Sequence, residues 1–209
     1  MAWTSPRTWT TGELVTKAIM DTHVRDNLNA VHITQVTALP GSPFDGQLIL
    51  FTDSTSAPTY VWQLRYNANS ASSFKWEFVG GSSFNSAEVD IQYANITSYD
   101  MTNSPAAILA PLAGDYDVIV SGTNQRNSGN TSFWSYNKNG AGADDTIASG
   151  DSGAGTSVAG FVHTGSLWFV HRATLAVNDS MRIAYRASNS GTNHALDNAR
   201  LRLLPFRVG

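Results

Sequence analysis

Gly114-Asp115-Tyr116-Asp117-Val118-Ile119-Val120-Ser121-Gly122 is the stretch that decides the fold. Side chains on a β-strand alternate between faces, so Tyr116, Val118 and Val120 share one face while Asp115, Asp117 and Ile119 share the other. That is the pattern of a strand with one side in a core. Arg200-Leu201-Arg202-Leu203 alternates in the same way near the end of the chain. The second run gives a strand over 199–204, and further strands are expected near residues 87–93, 98–101, 106–109, 131–137, 157–162, 166–177 and 180–187. Turn residues separate them at the spacing of a two-sheet sandwich.

Upstream, Tyr60-Val61-Trp62-Gln63-Leu64-Arg65-Tyr66 puts Tyr60, Trp62, Leu64 and Tyr66 on one face, and Phe74-Lys75-Trp76-Glu77-Phe78 repeats the design. With the apolar run 47–52 these form an expected three-stranded antiparallel meander, separated by polar clusters and closed at Gly80-Gly81. Three strands with so much aromatic surface are marginal alone and need cover. Residues 32–44 contain Pro40, Gly41 and Pro43, which break a helix and read as an extended connector. The organisation expected is an N-terminal anchor over 1–38, a small aromatic β module over 39–81 and a jelly-roll-like β-sandwich over 82–209. Gly80 to Ser83 is read as a short flexible boundary.

Only 14% of the 209 residues are charged and 11% are aromatic, against about 25% charged in an average soluble domain. Hydroxyls and amides must therefore cover much of the outside, as on a particle surface. A formal net charge of -3 leaves no basic footprint for gripping nucleic acid. The chain has no cysteine, which excludes disulfides and thiolate metal sites. The first residues include Pro6 and Arg7 and lack the apolar run of an export signal, and no stretch of about 18 apolar residues is present. Production in a cytoplasm, without a membrane partner, is the expectation. The triplets at Asn95, Asn130 and Asn178 are accordingly read as chance rather than glycosylation sites.

The first residues carry a different signal. Met20, Val24, Leu28 and Val31 recur at helical spacing and draw a narrow apolar stripe along a helix of about four turns. Such a stripe needs a partner, either this chain's own domain or another subunit. The run Ala2-Trp3-Thr4, Trp9-x2-Gly12-Glu13, Thr16 and Thr22-His23-Val24-Arg25-Asp26-Asn27-Leu28 resembles the N-terminal signature of a broad class of tailed-bacteriophage structural proteins. The segment from Leu39-Pro40-Gly41 through Tyr60-Val61-Trp62 to Gly80-Gly81 resembles a small β module that recurs in phage tail and particle proteins. Residues 82–209 resemble, as a pattern, the jelly-roll knob of the C1q and tumour-necrosis-factor type. The resemblance implies that Trp3, Trp9, Met20, Val24 and Leu28 anchor the chain in grooves on a virion. It also implies a homotrimeric knob, with 106–111 and 166–170 offering apolar surface for that association.

No enzymatic signature emerges. Asp144, Asp145 and Asp151 lie in a glycine-rich loop of small polar residues between Lys138 and Ser157 but match no EF-hand spacing. His23, His32, His163, His171 and His194 form no metal-binding pair, so no metal and no cofactor are expected. There is no G-x-S-x-G elbow, no phosphate loop, and only Glu88 with Asp90 as a close carboxylate pair. What remains is recognition. Asn124, Gln125, Arg126 and Trp134, with Tyr136 and Asn137, form a conceivable saccharide surface, although Trp134 and Tyr136 also fit a core or interface face. The expectation is a non-enzymatic, trimeric virion projection, a head decoration or head fibre. A short tail fibre or receptor-binding tail protein recognising host glycan is the alternative, with a glycan depolymerase behind it.

Overall fold

The computed structural model of the protein describes residues 8–25, 33–86, 88–94, 106–126, 132–140, 163–187 and 193–209. Within them the chain is mainly β, with two sheets in a sandwich-like arrangement and one short helix. The strands are β1 (Thr34–Val36), β2 (Leu48–Thr52), β3 (Val61–Tyr66), β4 (Trp76–Gly81), β5 (Phe84–Asn85), β6 (Val89–Ala94) and β7 (Ile108–Leu109). They continue with β8 (Gly114–Arg126), β9 (Ser132–Lys138), β10 (His163–Leu175), β11 (Ser180–Ala187) and β12 (Asn193–Val208).

The larger sheet runs β1-β2-β3-β4-β12-β8-β10, with β5 and β6 also paired to β12. The smaller runs β7-β11-β9. The alternation of β8 sets the layers as the sequence reading requires. Tyr116, Val118 and Val120 are fully buried, as are Leu201 and Leu203 of β12. Across from them, β9 and β11 supply Trp134, Tyr136, Met181, Ile183 and Tyr185 to the same core. Ring contacts such as Trp134 on Tyr185, 5.6 Å between centroids, hold this second layer together.

Several elements differ from expectation, each for a local reason. The connector after residue 32 contains β1, which pairs in parallel with β2 through Thr34↔Ile49 to Val36↔Phe51. The expected aromatic meander exists, but it does not stand apart. β4 pairs with β12 at Val208↔Trp76, and Trp62 packs on Tyr116 with ring centroids 6.2 Å apart. Phe51, Tyr60, Trp62 and Trp76 join the same buried cluster as Tyr116 and Leu201. The division at residue 81 is therefore one of sequence pattern rather than of packing. Nor is Gly80 to Ser83 a loose boundary. Gly81 closes β4 opposite Trp62 with φ +127°, two residues beyond the register shift at Val79, and a Cβ there would lie 2.1 Å from the Val61 carbonyl oxygen. The indole Nε1 of Trp62 donates to the Ser82 carbonyl at 2.8 Å, which fixes the next residue as well.

β12 is longer than the run expected over 199–204. Two bulges, at Asp197/Arg200 and Pro205/Arg207, let the strand continue through Asn198 at φ 55° and through Pro205. Proline lacks an N–H to give the ladder and so settles where the ladder is already broken. The strands expected at 98–101 and 157–162 lie outside the described residues, as does 141–157 of the glycine-rich loop with Asp144, Asp145 and Asp151.

Candidate attachment and recognition sites

The N-terminal segment is built by local capping. Gly12, at φ 82°, makes the turn in which the Glu13 N–H donates to the Thr10 carbonyl at 3.1 Å and the Glu13 carboxylate accepts from the Thr10 N–H at 3.3 Å. Thr16 caps the helix α1 (Lys17–Met20), its hydroxyl oxygen accepting from the Ile19 N–H at 3.3 Å. A π-helical turn over Asp21–Arg25 follows. Asp21 braces both, paired with Lys17 one turn before it and with Arg25 one turn after it at 3.0 Å. The helix expected to run about four turns is described only to Arg25. Leu28, Val31 and Trp3 fall outside the described residues.

This segment buries none of its large apolar side chains. Trp9 is 47% exposed, Leu14 79%, Val15 50%, Met20 44% and Val24 38%. Five such side chains fall within sixteen positions, and none of them joins the buried core. Trp9, Met20 and Val24, expected as anchor residues, thus lie on the surface of the isolated chain. Among the described residues the helix has no place in the buried core.

The saccharide surface read from the sequence divides. Asn124, Gln125 and Arg126 end β8, where the backbone pairs on both sides, Gln125 with Thr164 of β10 and with Ala195 of β12. Their side chains lie outside what is described. Trp134 is corrected outright: it is fully buried against Tyr185, because β9 turns that face into the core, and offers no ring to a sugar. Tyr136 and Asn137 are buried too. The Tyr136 hydroxyl lies 2.8 Å from His171 Nδ1, a bridge between the two sheets, and burial pushes its pKa up. Of the surface proposed for self-association, Ile108 and Ala110 are core residues, while Leu109 (49%), Trp168 (67%) and Val170 (40%) are exposed.

One polar cluster was missed in the sequence. Asp179 closes the turn from β10 to β11, with Asn178 at φ 66°. Its carboxylate accepts from the Ala176 N–H at 2.7 Å and Asn139 Nδ2 at 2.6 Å, and pairs with Lys138 at 2.8 Å. Burial opposes ionisation there, yet the hydrogen bonds from Lys138, Asn139 and Ala176 win and hold the pKa down to about 2. The Asn178-Asp179 pair was the available signal, as a turn former before a strand. Of the carboxylates considered for catalysis, Glu88 forms an ion pair with Arg200. Among the described residues no three His, Asp or Glu side chains group as metal ligands, and no helix is long and apolar enough to cross a membrane.

These features define a mainly β protein with a sandwich-like body and an uncovered N-terminal segment. No protein-family model matches the chain, and no curated protein matches it. Among solved structures it is similar to a chain in the "Structure of infectious bursal disease virus Gx strain", at 12% identity and a TM-score of 0.36. That similarity covers 68% of this chain and 37% of the other, so the chain spans little more than a third of that protein.

Proposed function

We propose that this protein is a non-enzymatic structural protein of a tailed-phage virion, a trimeric head decoration or head fibre attached through its N-terminal segment. The observation that carries the reading is the exposure of Trp9, Leu14, Val15, Met20 and Val24 within one short segment that contributes nothing to the buried core. Large apolar side chains clustered in one short segment mark a surface meant for another molecule. The resemblance of the stretch from Trp3 to Leu28 to a phage N-terminal signature supports a neighbouring virion subunit as that molecule. Three copies would then tie three weak attachments into one durable one by effective concentration.

Deletion of residues 1–31 tests this. The truncated chain is expected to keep its melting temperature and its oligomeric state but to vanish from purified particles. Retention on particles, or a collapse in stability, would refute the attachment role. Immunogold labelling of intact virions places the full chain. Label on the head supports the decoration reading, and label at the tail tip replaces it with the receptor-binding alternative.

A further inference from the structure

Asn139-Gly140 is the one Asn-Gly step in the chain, and it makes the turn that leaves β9. Asn139 stands at φ 55° and Gly140 at φ 74°, the left-handed pair that this dipeptide adopts readily. Both residues are exposed. The step is also chemically labile, because glycine has no Cβ to shield its nitrogen from the asparagine side chain before it. In the reaction open to it, the Gly140 amide gives up its proton and its nitrogen bonds to the Asn139 side-chain carbon Cγ. The Cγ–Nδ2 bond breaks, and Nδ2 leaves as ammonia with that proton. Water then opens the cyclic imide at either carbonyl, leaving aspartate or isoaspartate at position 139.

The groups that must react are held in the folded chain. The Gly140 N–H donates to Asn137 Oδ1 at 2.8 Å, and Asn137 is itself buried. Asn139 Oδ1 accepts from the Ser180 N–H at 2.7 Å, and Asn139 Nδ2 donates to Asp179 Oδ1 at 2.6 Å. One partner is a donor and the other an acceptor, which fixes the orientation of the amide. The Asn139 N–H donates to the Ser180 carbonyl at 2.8 Å, so backbone and side chain are both tied to the first residue of β11. Asp179 is held in turn by the Ala176 N–H and by Lys138. Its carboxylate is ionised at neutral pH and has no proton to give to departing ammonia.

We infer that Asn139 is a slow self-modification site, an irreversible deamidation that the lock to Asp179 and Ser180 holds off while the turn is closed. Reaction then proceeds through local opening of that turn, at a rate set by how often it opens rather than by unfolding of the whole chain. The product cannot re-enter the lock. An aspartate at 139 puts a carboxylate where Nδ2 donated, facing Asp179 Oδ1 at hydrogen-bond distance, and two ionised carboxylates so placed repel. The modification therefore keeps open the turn whose closure prevented it. The inference depends neither on particle attachment nor on self-association.

The test incubates the full folded chain at mildly alkaline pH, below its melting transition, and follows deamidation at position 139 by peptide mass spectrometry. The same chain in denaturant and the variants Asp179→Ala and Trp62→Phe run beside it. Denatured wild type and folded Asp179→Ala are expected to react at least about tenfold faster than folded wild type. Trp62→Phe weakens the buried core and leaves the turn intact, so it keeps the wild-type rate. Folded wild type as fast as denatured chain, Asp179→Ala as slow as wild type, or Trp62→Phe as fast as Asp179→Ala would overturn the inference. Should Asp179→Ala not fold, hydrogen exchange reads the lock in wild type. Protection of the Ser180 amide is expected to match the ratio of denatured to folded deamidation rates, and a Ser180 amide that exchanges freely overturns the lock. Asn139→Asp, which mimics the product, is expected to melt lower than wild type at neutral pH. An unchanged melting temperature would overturn the claim that the product keeps the turn open.

Discussion

Replacing Trp62 by phenylalanine perturbs the point where the aromatic strands meet the rest of the sheet. The Trp62 side chain is fully buried, packs on Tyr60 at 4.7 Å and Tyr116 at 6.2 Å between ring centroids, and donates to the Ser82 carbonyl at 2.8 Å. Trimming indole to phenyl removes about 50 Å² of buried apolar surface, worth roughly 1.2 kcal/mol at about 25 cal/mol per Å². A residual cavity of about 30 Å³ adds up to roughly 0.7 kcal/mol if the surroundings do not close in. The lost hydrogen bond leaves the Ser82 carbonyl short of a partner, about 1 kcal/mol more. The sum, about 3 kcal/mol, lowers the melting temperature by roughly 6 to 12 °C for a chain of this size. Calorimetry is the assay, and its shape matters as much as its midpoint. One shared core requires a single transition that moves as a whole. Two transitions, of which only the smaller moves, would refute the reasoning and restore an independent module over 39–81.

Three further outcomes follow from the same geometry. Asp179→Ala strips the turn of its hydrogen bonds from Ala176 and Asn139 and the Lys138 pair, and is expected to cost about 1 to 3 kcal/mol in denaturant unfolding. The Asp179 carboxyl, held down to about 2 in the folded chain, has an unfolded value of about 4. Its contribution is thus present at neutral pH and is lost as the pH falls from about 4 through about 2. Asp179→Asn should flatten that stretch of the stability profile, and an unchanged profile counts against the assignment. Gly81→Ala, forced to place a Cβ 2.1 Å from the Val61 carbonyl oxygen at φ +127°, is expected to destabilise by at least about 1 to 3 kcal/mol. Wild-type stability in thermal melts would mean the close approach of Gly81 to Val61 is not held as described.

How much of this was legible in the sequence varies with the physics of each element. The faces of β8 and β12 were readable because period-two alternation survives wherever one side of a strand is buried, and Tyr116, Val118, Val120, Leu201 and Leu203 are all buried. β11 was readable to its ends, since turn residues flank it. The extent of β12 was not, because Asn198 and Pro205 look like strand breakers and only pairing on both sides shows them absorbed into bulges. The joining of β4 to β12 was equally hidden. It depends on a contact between residues about 130 positions apart, Trp76 with Val208, and local pattern carries no trace of it. Among site residues, the stripe of Met20 and Val24 fitted this chain's own domain as well as another subunit, and Trp134 fitted a core face as well as a sugar face. An aromatic in an alternating run serves a sugar face and a core face equally well, and only the second layer decides.

The measurement that bears most directly on the whole account is hydrogen exchange of residues 8–25, taken once in the free protein and once on assembled particles. The account predicts fast exchange in the free chain and strong slowing on the particle, with the slowing abolished by Met20→Glu and Val24→Glu together. Slow exchange already present in the free chain, or fast exchange that persists on the particle, would contradict the claim that this segment finds its cover in a neighbouring molecule.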